Sequence, residues 1–253
     1  MIEVENLYKE FTLTAKQKKE LNTRESKAIA VDGISFTCQP GRIFSLLGPN
    51  GAGKTTTMRM LSTIYRPTSG GIKIGGVDAI ASPQEARKKI GFLTGSTGLY
   101  ARLTPNEVID YFGKLYEVPS AQLRERKQYL FELLNMTDFI HKRIGKLSTG
   151  MKQKVSICRT MIHDPEVVVF DEPTSGLDVI TSAGIIQLIR NCKTQGKTVI
   201  FSSHIMSEVD LLCDDLAIIH KGKLLHSGTM EEFRENMQED SLTGEFIRIV
   251  NQG

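Results

Sequence analysis

No stretch of this 253-residue chain approaches the roughly 20 consecutive apolar residues that a membrane-spanning helix needs. The longest apolar stretches, such as Val167-Val168-Val169-Phe170 and Leu46-Leu47, fall far short of it, so no bilayer crossing is expected. The chain begins Met1-Ile2-Glu3-Val4-Glu5, without a basic segment leading into an apolar run. No secretory leader is expected from that start, and the cytoplasm is the default compartment. Cysteine is scarce: Cys38, Cys158, Cys192 and Cys213 have no metal-site spacing and are too few for a disulfide framework. They read as reduced, mostly buried small hydrophobes. An excess of one charge is also missing. The 32 Lys and Arg against 29 Asp and Glu leave +3, too little to hold nucleic acid by phosphate neutralisation, so no nucleic-acid partner is expected. No internal repeat is visible, which excludes a solenoid or two tandem copies of one module.

What is present is an ordinary globular composition, 40% apolar and 24% charged, long enough for one large core or two small ones. Short β-branched runs alternate with helical patterns: Ile2 to Asn6, Ile34 to Cys38, Ile43 to Leu47, Ile72 to Ile74, Ile90 to Leu93, Val167 to Phe170, Thr198 to Ser202 and Leu216 to His220. That alternation predicts an α/β sheet fold. From Thr104 to about Asp164 the pattern is helical, opening with a capping-box start at Thr104, Pro105 and Glu107. A second helix is predicted from about Ser120 to Asn135, and a helical block inserted into a sheet domain follows from both. The segment 15–27 holds Lys16, Lys18, Lys19, Arg24 and Lys27 against Glu20 and Glu25, and reads as a solvated surface insertion rather than a functional basic patch.

Gly48-Pro49-Asn50-Gly51-Ala52-Gly53-Lys54-Thr55 carries two glycines four intervening residues apart, then Lys and a hydroxyl residue, the pattern of a phosphate-binding loop. Chance produces such a match in a chain this long on the order of one time in a hundred. The predicted strand before it and helix after it make coincidence rarer still. Glycines let backbone N–H groups turn inward around a β-phosphate, and the following helix, with Thr56 in its first turn, adds favourable partial charge. Lys54 supplies a positive charge to the β- and γ-phosphates, and the Thr55 hydroxyl is placed to ligate Mg²⁺. The run Val167 to Phe170 ends in Asp171 and Glu172, as expected of a buried strand delivering one carboxylate to the metal and a general base one residue on. These motifs specify an ATPase or GTPase, and the guanine-specific Asn-Lys-x-Asp tetrapeptide is absent.

Three further elements narrow the class: Leu147-Ser148-Thr149-Gly150-Met151, Ser175-Gly176-Leu177-Asp178, and His204 at the end of the strand from Thr198. The set, in this order and over nearly the whole chain, resembles the nucleotide-binding subunit of ATP-binding-cassette (ABC) transporters. The resemblance implies a P-loop NTPase of the ABC ATPase type: a mixed β core with an antiparallel β subdomain and an inserted α-helical subdomain. It divides the single domain 1–253 into a core with β subdomain at about 1–95 and 165–253, and a helical part at about 96–164. It further implies that ATP and Mg²⁺ are the cofactors and that two subunits, identical or paralogous, close head to tail around two ATP. Ser148 and Gly150 would then donate to the γ-phosphate held by the opposite subunit, Asp178 would lie in the loop that meets the partner, and His204 would contact the γ-phosphate and attacking water. The implied partner is an integral membrane permease, with the ATPase peripheral on the inner face of the membrane. Phe11 aligns with the aromatic that stacks on adenine, with core packing as its alternative. Without the other motifs, His204 would read as a strand-end histidine bonded to solvent or backbone.

Two departures from the family pattern stand out. Where the family carries a glutamine after Ile90-Gly91-Phe92-Leu93, this chain has Thr94-Gly95-Ser96-Thr97. A nearby hydroxyl, or water, is expected to stand in for that metal ligand, with Gly95 serving either to bring the loop in or only to make a turn. The signature reads Ser-Thr-Gly-Met, a variant that resembles the sodium-extrusion group of bacterial exporters, as do Gly91 to Thr104 and the tail Ser241 to Val250. The rival classes are a soluble ABC-type ATPase acting on nucleic acid or the ribosome, and a P-loop kinase. Members of the first usually carry two cassettes, long coiled coils or zinc cysteines, and the second leaves Leu147 to Met151 and His204 unexplained.

Overall fold

The computed structural model describes residues 1–20, 22–94 and 98–253. The chain opens with two long strands, β1 (Ile2–Thr12) and β2 (Lys27–Cys38), joined across a six-residue helix, α1 (Ala15–Glu20), none of whose residues is buried. Helix α1 is thus solvated along its length, as its polar run from Lys16 to Glu20 allows. Then come β3 (Ile43–Leu47), α2 (Lys54–Leu61), β4 (Ser69–Ile74), β5 (Val77–Asp78), α3 (Pro83–Lys89) and β6 (Ile90–Leu93). A helical run follows: α4 (Pro105–Leu115), α5 (Ser120–Leu133) and α6 (Thr149–Met161). The chain returns to the sheet with β7 (Val167–Asp171), α7 (Val179–Thr194), β8 (Thr198–Ser203), α8 (Met206–Leu212), β9 (Asp215–His220) and β10 (Lys223–Thr229), and ends in α9 (Met230–Glu235) and α10 (Leu242–Gln252).

Two sheets result. The smaller is antiparallel, in the order β2-β1-β4-β5, and the larger runs β10-β9-β3-β8-β7-β6. In the larger sheet β9, β3, β8, β7 and β6 are mutually parallel and β10 closes one edge antiparallel. Every residue of β3, β7 and β8 is buried, which is why these strands read as unbroken apolar runs rather than alternating ones. Helix α4 begins as its sequence predicts, with Thr104 and Glu107 in a reciprocal capping box and Pro105 at the first turn.

The differences from expectation have local causes. Strand β1 continues well past Asn6, because Asn6 takes a positive φ of 46° at a register shift and pairing resumes beyond it. Helix α2 stops at Leu61 rather than about Thr63, where φ reaches +57°. Strand β10 has no apolar run to reveal it, since its half-exposed edge position carries His226, Ser227 and Gly228.

A stacked ring pair joins the helical run to the connection that leads into the sheet. Tyr116, at the end of α4, stacks on His163 in the α6–β7 connection, with ring centroids 3.8 Å apart and planes 6° from parallel. His163 Nε2 lies 3.1 Å from the Ile90 carbonyl, which makes it the donor, and Nδ1 is buried without a partner. Burial pulls its pKa from 6.5 down to about 4, against a smaller opposing pull from the Ile90 bond. The unfolded chain therefore binds this proton first. Its contribution to stability is complete above pH 6.5 and is lost progressively as pH falls toward 4. His163→Phe keeps a stackable ring and cannot titrate, so the drop in urea midpoint between pH 7 and pH 5 should be smaller in the variant than in wild type. An equal drop would show that this imidazole is not the sensitive group.

Candidate active site

The C-terminal ends of parallel strands gather the chemistry. Strand β3 ends at Leu47 and the chain turns through Gly48 to Gly53 into α2. Gly53 has φ 112°, a conformation side-chain-bearing residues avoid, and a Cβ there would sit 2.5 Å from the Ala30 carbonyl oxygen. At Gly48 a Cβ would run into the Ile219 carbonyl. No side chain caps α2 and no acid stands in its first turn, so its leading N–H groups are left for an anion. Lys54 folds back over the loop, its Nζ donating to the carbonyls of Gly48 at 2.7 Å and Pro49 at 3.1 Å. Burial holds its ammonium below the usual lysine range, with Glu172 and Asp171 pulling the other way. Ala30, the run Asn50 to Thr56 and Glu172 enclose a cavity of about 160 Å³.

The carboxylates arrive on β7, in register beside β8. Asp171 pairs with Ser202, whose Oγ donates to Asp171 Oδ1 at 2.8 Å and accepts from the Glu172 N–H at 3.0 Å. One buried hydroxyl thus orients both acidic residues. Thr55 Oγ1 donates to the same Asp171 oxygen at 3.3 Å. Glu172 has φ +50°, an uncommon conformation for a residue of this kind, and its Oε1 lies 3.5 Å from His204 Nδ1. A second cavity of about 370 Å³ opens on these groups, lined also by Arg59, Thr94, Thr149, Gln153, Ser175 and Leu177. Gln153 Nε2 donates to the Pro173 carbonyl at 2.9 Å, tying α6 to the segment after Glu172.

Lys54, Thr55, Asp171, Glu172 and His204 are therefore brought together. Ser148, Gly150 and Asp178 form a separate group. Ser148 is exposed at the start of α6, its Oγ accepting from the Met151 N–H at 3.3 Å. A Cβ on Gly150 would lie 3.7 Å from Asp178 Oδ2. Asp178 caps α7 by accepting from the Thr181 N–H and hydroxyl, both at 2.9 Å, bonds that hold its carboxyl below the usual range. None of the three is among the described residues lining the 160 Å³ cavity, although Thr149, between Ser148 and Gly150, and Leu177, beside Asp178, line the second one. Next to Asp178, Val179 and Ile180 are 86% and 83% exposed. Phe11 is half-buried on β1, edge-on to Tyr65 at 5.5 Å with Lys9 Nζ 5.0 Å from its ring centroid. Of the hydroxyls expected to stand in for the missing glutamine, Thr94 lines the second cavity with Thr55, Asp171 and Glu172, while Ser96 and Thr97, like Gly95, lie outside the described residues.

The donor set fits the groups the motifs call for. Two hard oxygen donors, Thr55 Oγ1 and Asp171 Oδ1, stand at the edge of a glycine-built anion cradle, the chemistry a Mg²⁺–phosphate pair requires. The sequence profile described as ABC transporter matches residues 31–175. The chain belongs to the ABC transporter family. It is 40% identical to the ABC transporter ATP-binding protein NatA of Bacillus subtilis (strain 168), over 88% of this chain and 92% of that protein. It is 35% identical to the Nod factor export ATP-binding protein I of Ralstonia nicotianae, over 84% of this chain and 66% of the relative. Among solved structures, a dimeric post-hydrolysis state of the ATP-binding cassette MJ0796, bound to ADP and Pi, matches with a TM-score of 0.79 at 22% identity, covering 91% of this chain and 99% of that one. The architecture is that of an ABC ATPase cassette, and the protein is an ATPase subunit of this family with ATP and Mg²⁺ as cofactors.

Sequence reasoning did not find Ser202, Gln153 or Ala30. Ser202 had a signal, two serines ending an apolar strand, but its role depends on strand pairing that the sequence does not display. The loop geometry is itself testable. Gly53→Ala combines a left-handed backbone with a collision against Ala30, and should cost at least about 2 kcal/mol in urea unfolding. It should also abolish binding of a fluorescent ATP analogue. A variant of unchanged stability that binds normally would refute the argument from the loop.

Proposed function

We propose that this chain powers a separate membrane permease, in an exporter, by closing as a dimer around two Mg-ATP and reopening after hydrolysis. The observation that carries the reading is the division of the motif residues into two groups. Lys54, Thr55, Asp171, Glu172 and His204 share one edge of the sheet, while Ser148, Gly150 and Asp178 stand outside the phosphate cavity with exposed Val179 and Ile180 beside them. Exposed apolar side chains beside these residues suit contact with a second subunit, and the MJ0796 cassette of the same fold is dimeric. Export is supported by the relative named for Nod factor export and by the signature variant Ser-Thr-Gly-Met. Sodium as cargo rests on the resemblance to the sodium-extrusion group. Among the described residues no helix is long and apolar enough to cross a membrane, in keeping with a permease on another chain and a place on the cytoplasmic face.

In this reading the loop amides from Asn50 to Thr56 and the Lys54 ammonium hold the β- and γ-phosphates, and Phe11 meets the adenine. Thr55 and Asp171 would hold Mg²⁺, which supplies charge neutralisation at the phosphate oxygens. The Glu172 carboxylate takes a proton from water as its oxygen attacks the γ-phosphorus and the bond to the ADP oxygen breaks. His204, beside Glu172, orients that water. Ser148 and Gly150 of the opposite subunit complete the γ-phosphate site, so that binding energy is spent on closing the dimer and its release on reopening.

Glu172→Gln should lower hydrolysis by about a hundredfold or more while trapping an ATP-bound dimer in size-exclusion chromatography, whereas Lys54→Ala should lose nucleotide binding. Wild-type turnover in Glu172→Gln would remove Glu172 from the role of base. Mixed subunits carrying Ser148→Arg and Lys54→Ala should rebuild at most one working site, and hydrolysis by isolated monomers would contradict the composite site. The ATPase should co-purify from membranes with an integral protein. A deletion strain whose sodium efflux is unchanged under salt stress would remove sodium as the cargo without touching the ATPase assignment.

A further inference from the structure

Behind the catalytic edge lies a buried carboxylate that none of the motifs above includes. Glu208, on α8, is 8% exposed. Its Oε2 accepts from the Thr174 hydroxyl at 2.8 Å and from the Ser203 hydroxyl at 3.0 Å. Both donors are buried, and each adjoins a residue of the site. Thr174 sits between Glu172 and Asp178, and Ser203 immediately precedes His204. The Ser203 hydroxyl also accepts from the Ile205 N–H at 3.0 Å, which fastens the chain on the far side of His204.

We infer that Glu208 is a positioning residue for hydrolysis: one oxygen ties the segment after the Glu172 base to the strand end that carries His204. Ser202 already clamps Asp171 and the Glu172 backbone from β8. That clamp leaves the segment from Pro173 to Asp178 and the His204 turn free to separate, and the Glu208 bridge closes this gap. The 3.5 Å between His204 Nδ1 and Glu172 Oε1 is maintained by no direct short hydrogen bond, so it depends on how the two backbones are held. Charge matters as well as shape. A carboxylate oxygen accepts two hydroxyl protons at once and holds both more firmly than a neutral acceptor does. Because Thr174 begins the short segment that ends at Asp178, and its carbonyl accepts from the Leu177 N–H, the same bridge also bears on where the Asp178 loop stands relative to the catalytic pair.

The inference rests on the assignment of Glu172 and His204 to the hydrolytic step, and the experiment separates the two ideas. Steady-state ATPase kinetics, equilibrium binding of a fluorescent ATP analogue and thermal unfolding are measured on the full chain carrying Glu208→Ala, Glu208→Gln, Thr174→Val or Glu172→Gln. Glu208→Ala should lower kcat per folded molecule about 10- to 100-fold, the scale of a small misplacement at a reacting centre, with nucleotide affinity within about threefold of wild type. Thr174→Val, which cuts one arm, should lower kcat several-fold, and Glu208→Gln, which keeps one acceptor oxygen, should recover a large part of the loss. If Glu208→Ala does not fold, the other two variants decide, since each preserves the buried volume. A kcat near wild type in all three Glu208 and Thr174 variants, or losses that merely track the folded fraction with affinity falling in parallel, overturns the positioning role. Normal turnover in Glu172→Gln overturns the underlying assignment instead, whereas an inactive Glu172→Gln beside a fully active Glu208→Ala overturns only this inference.

Discussion

The pairing of β7 with β8 in one register is the constraint on which the site depends. It puts Ser202 beside Asp171, and the hydroxyl between them serves the side chain of one acidic residue and the backbone of the next. A slip of one residue would turn Ser202 to the opposite face of the sheet, leaving the buried Asp171 carboxylate without this donor and the Glu172 N–H without its acceptor. Strand β8 is also the neighbour of β3, with Leu47 opposite Ser203, so it separates the phosphate loop from the carboxylates by two strand spacings, roughly 10 Å. Thr55, reaching in from α2, closes that interval by bonding to Asp171.

Burial does the remaining work. Strands with no exposed residue give the site a rigid floor, since every residue of β3, β7 and β8 is held on both faces. Polar groups at that floor bond in two small sets, Ser202 with Asp171, and Ser203 and Thr174 with Glu208. Such a network tolerates little loss, because each unpaired member would be a buried polar group without a partner. Among the ties between the helical run from α4 to α6 and the sheet are Tyr116 on His163, Gln153 on the Pro173 carbonyl and Thr160 on the Phe92 carbonyl.

The parts of the site that were legible in the sequence are those whose chemistry is local. Gly48 to Thr55 is a loop written in consecutive residues, and Asp171 and Glu172 stand where an unbroken apolar run ends. The capping box at Thr104 and Glu107 was legible for the same reason, since both partners lie within one turn. Ser202, Gln153 and Glu208 were not, because what they do is decided by which strands and helices become neighbours. The surroundings of Phe11 are of that kind too: its contact with Tyr65 joins segments far apart in the chain. Strand β10 escaped notice because an edge strand with one wet face has no apolar run to announce it.

The left-handed backbone at Glu172 has a consequence for how this position evolves. A glycine there would relieve a conformation that disfavours a Cβ-bearing residue by about 1 kcal/mol, and asparagine would relieve part of it. Selection for robustness alone would therefore carry the position away from glutamate. On the proposed role as base, a glutamate kept at that cost is held by its carboxylate, and a variant library sorted only for heat resistance should lose the residue early, enriching molecules that are sturdier and inert.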